Sequence, residues 1–128
     1  VYDSFEKEDR ELTFTDCGGI YARYDEKTDK TYEGEAPKVN ASKSPGEWQS
    51  FDAIFRAPRF DDQGNKTENA KFLLVKHNGV VVHENYEVTG GTRACMDRPE
   101  SPKGPLLLQG DHGPVAYRNI TLIPLQLK

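Results

Sequence analysis

Polar residues that could do chemistry gather around one glycine-rich turn near the end of this 128-residue chain. Residues 106–108 form an apolar run that stops at the sequence Gly-Asp-His-Gly-Pro, and a second apolar stretch covers residues 115–122. A histidine titrates near neutral pH and can act as a base or a metal ligand, and a neighbouring aspartate can orient it. The alternative is an ordinary turn in which His112 bonds the loop backbone. We take His112 and Asp111 as candidate catalytic residues.

Two further charged residues are candidates for the same site. Asp3 lies in an apolar-flanked, strand-like segment, where burial would raise the pKa of its carboxyl and suit it to acid–base catalysis. A hydrogen-bonded aspartate at a strand end is the alternative. Arg118 shares a strand face with Ile120 and Leu122, so it needs a ligand or a carboxylate partner, for which Asp111 and Asp3 are the candidates.

Short strands joined by turns must position these residues, because helix signals are nearly absent. The clearest element is a hairpin over residues 72–88, in which Asn78-Gly79 is the preferred dipeptide of a two-residue type I′ turn. That turn predicts that Val75 lies opposite Val82. Both faces of the hairpin are partly apolar, which indicates a sheet covered on both sides or one whose second face lines a groove.

The strand pattern as a whole predicts an all-β, antiparallel β-sandwich or jelly roll. Within the hairpin, His83 shares an apolar face with Leu74 and is expected to be a core histidine, whereas His77 beside the turn is expected to be solvated. Further strands are predicted at residues 19–24, 48–56, 106–109 and 115–125, with polar loops at residues 25–45 and 90–103.

The number of strands is small for this architecture. We find about six strands, whereas a closed jelly roll has eight or more. We therefore expect residues 1–128 to form a single domain that lacks N-terminal strands and leaves a sheet edge open. An N-terminal fragment or a second chain is the expected partner that completes the sheet.

Composition and charge argue against several classes of function. The net charge is -4, the pI is about 5.4, and no basic stripe could neutralise phosphates, so nucleic acid is not an expected partner. No apolar run approaches the roughly 20 residues that span a bilayer, so membrane insertion is not expected either. We expect an extracytoplasmic protein, periplasmic or secreted, although residues 1–128 show no signal peptide.

No cofactor is assigned by the sequence. Cys17 and Cys95 lack the ligand spacing of a zinc site, and we expect two separate thiols, with one disulfide as the alternative. Residues 61–65 have a faint likeness to a calcium loop, but the ligand spacing of such a loop is not there, so a solvated turn is expected. The sequence leaves open whether the site binds a divalent metal.

A series of motifs then follows one order along the chain: VYDS (1–4), GIY (19–21), VNAS (39–42), PGEWQ (45–49), FRAPRFD (55–61), KHNGV (76–80) and GPLLLQGDHGPVAYRNI (104–120). In this order the motifs resemble the 3-keto-disaccharide hydrolase domain family over nearly the whole chain. The combination is far more specific than any one motif. Residues 5–17 and 25–36 depart from the family pattern, and both segments could reshape the mouth of a groove.

The resemblance implies a concanavalin-like β-sandwich that hydrolyses 3-oxo-glycosides (3-keto-disaccharides). An oxidised C3 acidifies the C2 proton, a base such as His112 or Asp3 removes it, the C1 group leaves by β-elimination, and water adds to the enone. Arg118 or a divalent metal could stabilise the enolate oxygen. The alternatives are a non-catalytic carbohydrate-binding sandwich, which the same fold can host, and a structural adhesion domain.

Four residues are candidates for binding the carbohydrate substrate. Trp48, the only tryptophan, offers an indole face on which a sugar ring can stack, or it lies in the core. Arg59 could point at a sugar hydroxyl or be a surface arginine. Gln109 and Arg118 are expected at the wall of the catalytic groove.

Overall fold

The computed structural model describes residues 4–93, 95 and 98–125, and its strands pair antiparallel. In this part of the chain the helical element is one 3₁₀ turn, Asp9–Glu11. The predicted all-β antiparallel class is therefore confirmed, and the strands are consistent with a β-sandwich. They are β1 (Arg23–Asp25), β2 (Lys30–Tyr32), β3 (Phe51–Arg56), β4 (Arg59–Phe60), β5 (Lys66–Glu68), β6 (Ala70–His77) and β7 (Val80–Val88). Among the described residues, no helix has the length and apolar character needed to cross a membrane.

The central sheet has three strands in the order β3-β6-β7. Its hairpin β6–β7 turns at Asn78 and Gly79, whose φ angles of 51° and 82° are the left-handed values that a type I′ turn requires, as predicted. Strands β3 and β7 form the two edges, and neither pairs with a further strand in the described ranges. Among the described residues, both edges of this sheet are therefore open, in agreement with the predicted open edge.

The register of the hairpin differs from the prediction. Val75 pairs with His83 instead of Val82, because β7 carries a bulge beyond the turn. The extra residue is Val82, which is fully buried and whose carbonyl oxygen accepts a 3.1 Å hydrogen bond from the backbone amide of Lys38. The bulge brings His83 onto the face of Val75, and His83 is buried there, so its prediction as a core histidine is confirmed.

The hydrophobic core is small and lies where residues 17–22 cross β6 and β7. Ile20, Ala70 and Val88 are buried together, and Phe72 and Tyr86 pack against them. The sequence predicts a strand over residues 19–24. In the structure the strand is confined to β1, and Ile20 makes only an isolated bridge to the backbone of residue 35. This crossing segment forms part of the wall of the site described below.

Two short hairpins complete the strands. The β1–β2 hairpin lies in the region predicted as a long surface loop, so that prediction was wrong for residues 25–32. The β4–β5 hairpin encloses the predicted turn at residues 61–65. There Oδ1 of Asp61 accepts hydrogen bonds from the amides of Gln63 (3.0 Å) and Asn65 (2.8 Å). Because the Asp61 carboxylate bonds its own turn, the segment is the expected solvated turn.

The described C-terminal residues 98–125 form no strand, which contradicts the prediction of strands at residues 106–109 and 115–125. The large apolar side chains of this segment are exposed, from 42% for Val115 to 79% for Leu122. A strand-like composition becomes a strand only where a neighbouring backbone offers N–H and C=O partners. Within the described ranges, neither β3 nor β7 pairs with this segment. Its backbone therefore forms no ladder of strand hydrogen bonds with the central sheet, despite the apolar composition of the segment.

Candidate functional site

Two cavities share a wall formed by Cys17 and Tyr117, which line both. The larger has a volume of about 850 Å³, and the smaller has a volume of about 430 Å³. Both volumes lie in the range of small-molecule sites. The larger cavity is lined by residues that include Phe14, Tyr21, Phe51, Arg93 and 107–112. The smaller is lined by residues that include 42–49 and 114–117.

His112 and Asp111 form a hydrogen-bonded pair in the wall of the larger cavity. Nδ1 of His112 lies 2.8 Å from Oδ1 of Asp111, and the side-chain amide nitrogen of Gln109 lies 3.3 Å from the same Nδ1. A carboxylate only accepts hydrogen bonds, so the shorter contact places the proton on Nδ1 and makes Nε2 the basic nitrogen of the neutral ring. This is the arrangement of a base whose ring is oriented by a carboxylate.

The Asp111 carboxyl is held in its charged form. Hydrogen bonds from His112, and then from Gln109, lower the pKa of Asp111 below its ordinary value. The pair is exposed, with 54% of the His112 side chain and 69% of the Asp111 side chain open to solvent. At this exposure the pair contributes little to folding, so its geometry is available for binding and chemistry.

Aromatic residues and an arginine form other parts of the larger cavity's wall. Phe14 and Tyr21 meet edge to face with ring centroids 5.7 Å apart. The hydroxyl of Tyr117 donates a 2.6 Å hydrogen bond to the carbonyl oxygen of Gln109. Arg93 lines the same cavity. Sequence reasoning missed Tyr21, Arg93 and Tyr117 because they come from separate segments that only the fold brings together.

Arg118 and Trp48 lie together beside the smaller cavity. The guanidinium carbon of Arg118 is 3.8 Å from the centroid of the Trp48 ring, which is 48% exposed and therefore outside the core. The sequence predicts Arg118 on a core-facing stripe, but Ile120 and Leu122 are exposed and that stripe does not form. The expected partner Asp111 pairs with His112 instead.

Arg59, a predicted substrate-binding residue, does not line either cavity. Arg59 lies on β4, where its Nη1 is 3.5 Å from Oε1 of Glu68, a carboxylate that also pairs with Arg56 at 2.6 Å. This is a surface ion-pair cluster, the alternative that the sequence left open for Arg59. Asp3 lies outside the described residues, so its predicted approach to the same groove as His112 stays a prediction.

A buried cluster surrounds His77, which the sequence wrongly predicts to be solvated. Its Nε2 lies 3.2 Å from Oε1 of Gln49 and 3.8 Å from Sγ of Cys17, and its ring stacks on Phe51 with centroids 4.4 Å apart. Burial, and then the charge of Lys43, lowers the pKa of His77, so the ring is neutral. The β3–β6 register places Phe51 opposite His77. His77 is therefore covered by the neighbouring strand, although it lies next to the turn in sequence.

The part of the chain that the structure describes contains no cluster of metal-binding side chains and no disulfide. There, no three His, Cys, Asp or Glu side chains converge in a way that could hold a metal ion. Cys17 is buried and Cys95 is exposed, and the two are separate thiols, as expected. The described side chains of the site include the hydrogen-bonded His112–Asp111 pair, arginines and the aromatic residues of the walls.

Of three comparisons with known proteins, one found a match, and it covers both cavities. Searches of curated proteins and of solved structures found no match. A sequence model of the family described as the 3-keto-alpha-glucoside-1,2-lyase-like domain matches residues 2–123, which include the walls of both cavities. The match confirms the resemblance that the motifs indicate. Because it covers nearly the whole chain, the protein belongs to the 3-keto-alpha-glucoside-1,2-lyase-like domain family.

Proposed function

We propose that the protein cleaves 3-oxo-glycosides by abstraction of the C2 proton, elimination of the C1 group and hydration of the resulting enone. The observation that carries this proposal is the His112–Asp111 pair, whose atoms lie 2.8 Å apart in the wall of an 850 Å³ cavity. Family membership supports the substrate class, because the family is described by action on a 3-keto-glucoside.

His112 acts as the base in this proposal. The carbonyl at C3 acidifies the C2 proton, and Nε2 accepts that proton while Nδ1–H stays bonded to Asp111. The charged Asp111 stabilises the imidazolium that forms. The electron pair of the C2–H bond forms the enolate, which then breaks the bond between C1 and the glycosidic oxygen. The leaving oxygen takes the proton held by the His112 imidazolium, which returns the ring to its neutral form. Water adds its hydroxyl to C1 and a proton to C2, so the product is the free 3-oxo-sugar.

Arg93 is the cation that supports stabilisation of the enolate oxygen. Arg93 lines the same cavity as His112 and its guanidinium lies over the ring of Tyr24, whereas Arg118 lies over the ring of Trp48 beside the smaller cavity. A preorganised cation near developing negative charge stabilises that charge in the transition state. We therefore assign the enolate oxygen to Arg93 rather than to Arg118.

A non-catalytic carbohydrate-binding domain is a second candidate, favoured by the exposed aromatic side chains. Trp48, Phe51 and Phe55 are each about half exposed, at 48%, 49% and 49%. Aromatic faces open to solvent are suited to stacking on sugar rings. This candidate predicts binding of a glycoside without turnover and without a need for oxidation at C3.

The experiment compares a 3-oxo-glycoside with its unoxidised parent in deuterated water. The proposed reaction consumes only the oxidised substrate, and its product carries solvent deuterium at C2 because that proton is removed and replaced. Binding of both glycosides without loss of either would instead establish the carbohydrate-binding alternative. Cleavage without deuterium at C2 would contradict the elimination step while leaving a hydrolase.

A further inference from the structure

The smaller cavity takes no part in the proposed proton transfer, yet an arginine, Arg118, lies beside it. The guanidinium of Arg118 is held 3.8 Å from the ring centroid of Trp48, which lines the cavity. In the described residues, no carboxylate forms an ion pair with Arg118. A guanidinium stacked by its face on an aromatic ring still presents its N–H donors in its own plane. Arg118 is therefore oriented to bind an anion at its edge.

The charges around this cavity also favour an anion. Lys43 lines the cavity, and its Nζ lies 3.5 Å from the backbone oxygen of Trp48. Glu47 is a carboxylate in the same lining, but its Oε2 accepts a 3.1 Å hydrogen bond from the amide of Ser44 and so closes a tight turn. The cavity is thus lined by one cation, Lys43, and by a carboxylate that is already hydrogen-bonded, while a second cation, Arg118, lies over the ring of Trp48.

The smaller cavity is connected to the proposed reaction site through a shared wall. Tyr117, the neighbour of Arg118 in sequence, lines both cavities, as does Cys17. A glycoside whose oxidised ring lies beside His112 can extend its C1 substituent past this wall. The remaining lining of the smaller cavity includes Pro114 and Val115, whose apolar surfaces suit a ring.

We infer that the smaller cavity is a subsite for a leaving group that carries a carboxylate on a ring, with Arg118 bound to the carboxylate and Trp48 in contact with the ring. The inference rests on the proposed function for the identity of the leaving group, but carboxylate binding can be measured without turnover. A uronic acid and an aromatic acid share this chemistry. Inorganic phosphate is a control anion, because it carries no ring that could contact Trp48.

The first arm of the test is binding of free ligands, followed by the fluorescence of Trp48, the only tryptophan of the chain. Glucuronate, benzoate, glucose and inorganic phosphate are titrated into the wild type, Arg118→Gln and the control Arg10→Gln, which removes an exposed arginine from the 3₁₀ turn. We expect glucuronate or benzoate to bind more tightly than glucose and phosphate, and the tighter of the two identifies the source of the carboxylate. Arg118→Gln should weaken that binding roughly tenfold or more, the scale of a lost charge-assisted hydrogen bond.

The second arm is kinetic and separates the two proposals. For 3-oxo-glucosides with glucuronate or glucose as leaving group, the ratio of kcat/KM values should favour glucuronate in the wild type and fall roughly tenfold or more in Arg118→Gln. If neither substrate is cleaved but Arg118-dependent carboxylate binding persists, the proposed function fails and the subsite stands. If glucose or phosphate binds as tightly as both carboxylates, or Arg118→Gln binds them like the wild type, the subsite assignment is overturned.

Discussion

Nε2 of His83 lies 2.7 Å from the carbonyl oxygen of Gly18, and this contact ties the segment that crosses the sheet to strand β7. A carbonyl oxygen only accepts, so Nε2 carries a hydrogen in this bond. The same segment also covers His77, which contacts Cys17. The fold therefore holds two imidazoles away from water beneath residues 17–18, with 0% of His77 and 2% of His83 exposed.

We predict that the free energy of unfolding decreases as the pH falls below about 6.5. Burial lowers the pKa of both His77 and His83 in the folded chain, whereas their unfolded value is the ordinary 6.5. Below pH 6.5 the unfolded chain binds protons that the folded chain does not bind. The stabilisation from the neutral histidines is therefore complete above pH 6.5 and is lost as the pH falls towards the pKa values of the folded chain. Each histidine contributes a slope of up to about 1.4 kcal/mol per pH unit.

Urea unfolding at a series of pH values measures this slope. Carboxylates also lose stability at lower pH, so the informative comparison is with the variant His77→Gln/His83→Gln. That variant should unfold at lower urea concentration throughout and show a flatter pH dependence from about pH 7 to about pH 5. An equal slope in the wild type and the double variant would show that the buried imidazoles are not the cause.

The side chain of Asn78 bonds two other segments as well as forming the turn. Its Oδ1 accepts a 2.9 Å hydrogen bond from the amide of Ser50, and its Nδ2 donates to the backbone oxygen of Ala41 at 2.7 Å. Asn78→Gly keeps the positive φ but loses these bonds, and we expect a destabilisation of about 1–3 kcal/mol in urea unfolding.

Asn85→Gly is the matched control for that substitution. Asn85 has a similar φ of 53° but is exposed. We expect the free energy of unfolding of this variant to stay within about 0.5 kcal/mol of the wild type. Equal effects of the two substitutions would mean that Asn78 matters only for its φ angle.

These contacts explain which parts of the fold the sequence can predict. The Asn78-Gly79 turn and the His112–Asp111 pair are local, since the chemistry of adjacent residues decides both. The bulge at Val82 is not local, because it is held by the amide of Lys38, which a distant loop supplies. No pattern within β7 indicates that contact.

The same distinction accounts for the errors around the site. Cys17 and His77 are 60 positions apart in sequence, so their contact depends on the path of the crossing segment. The predicted strands near Leu107 and Ile123 have the right composition, but strand formation needs a neighbouring backbone as well. Sequence reasoning thus predicted the contact between Asp111 and His112 and the class of fold, and missed the residues that the fold brings to the cavity wall.

For the proposed reaction, we predict that His112→Ala lowers kcat on a 3-oxo-glycoside by roughly 10²-fold or more, the scale of a lost general base. Asp111→Asn should cause a smaller loss, because the amide orients the ring but cannot stabilise the imidazolium. Both side chains are exposed, so far-ultraviolet circular dichroism and the urea midpoint should match the wild type.

Asp62→Asn, in the exposed turn at residues 61–65, is the control for these activity measurements. Full activity of His112→Ala would show that the base lies elsewhere. The base would then be sought among Asp3 and Asp97, which lie outside the described residues, and Glu100. The carboxylate of Glu100 is already paired with Lys66 at 2.7 Å.

The last prediction compares two glycines that share a backbone conformation and differ in their surroundings. Gly34 and Gly46 have φ angles of 87° and 88°, so an alanine at either position meets the same left-handed strain. A Cβ at Gly34 would lie 2.9 Å from Cα of Ala22, a buried residue of the crossing segment, whereas a Cβ at Gly46 meets open space. Gly46→Ala should therefore cost about 1 kcal/mol, and Gly34→Ala should cost about 1–3 kcal/mol more because backbone must move. Urea unfolding of the two variants measures the difference, and equal destabilisation would show that residues 22 and 34 are not in close contact in solution.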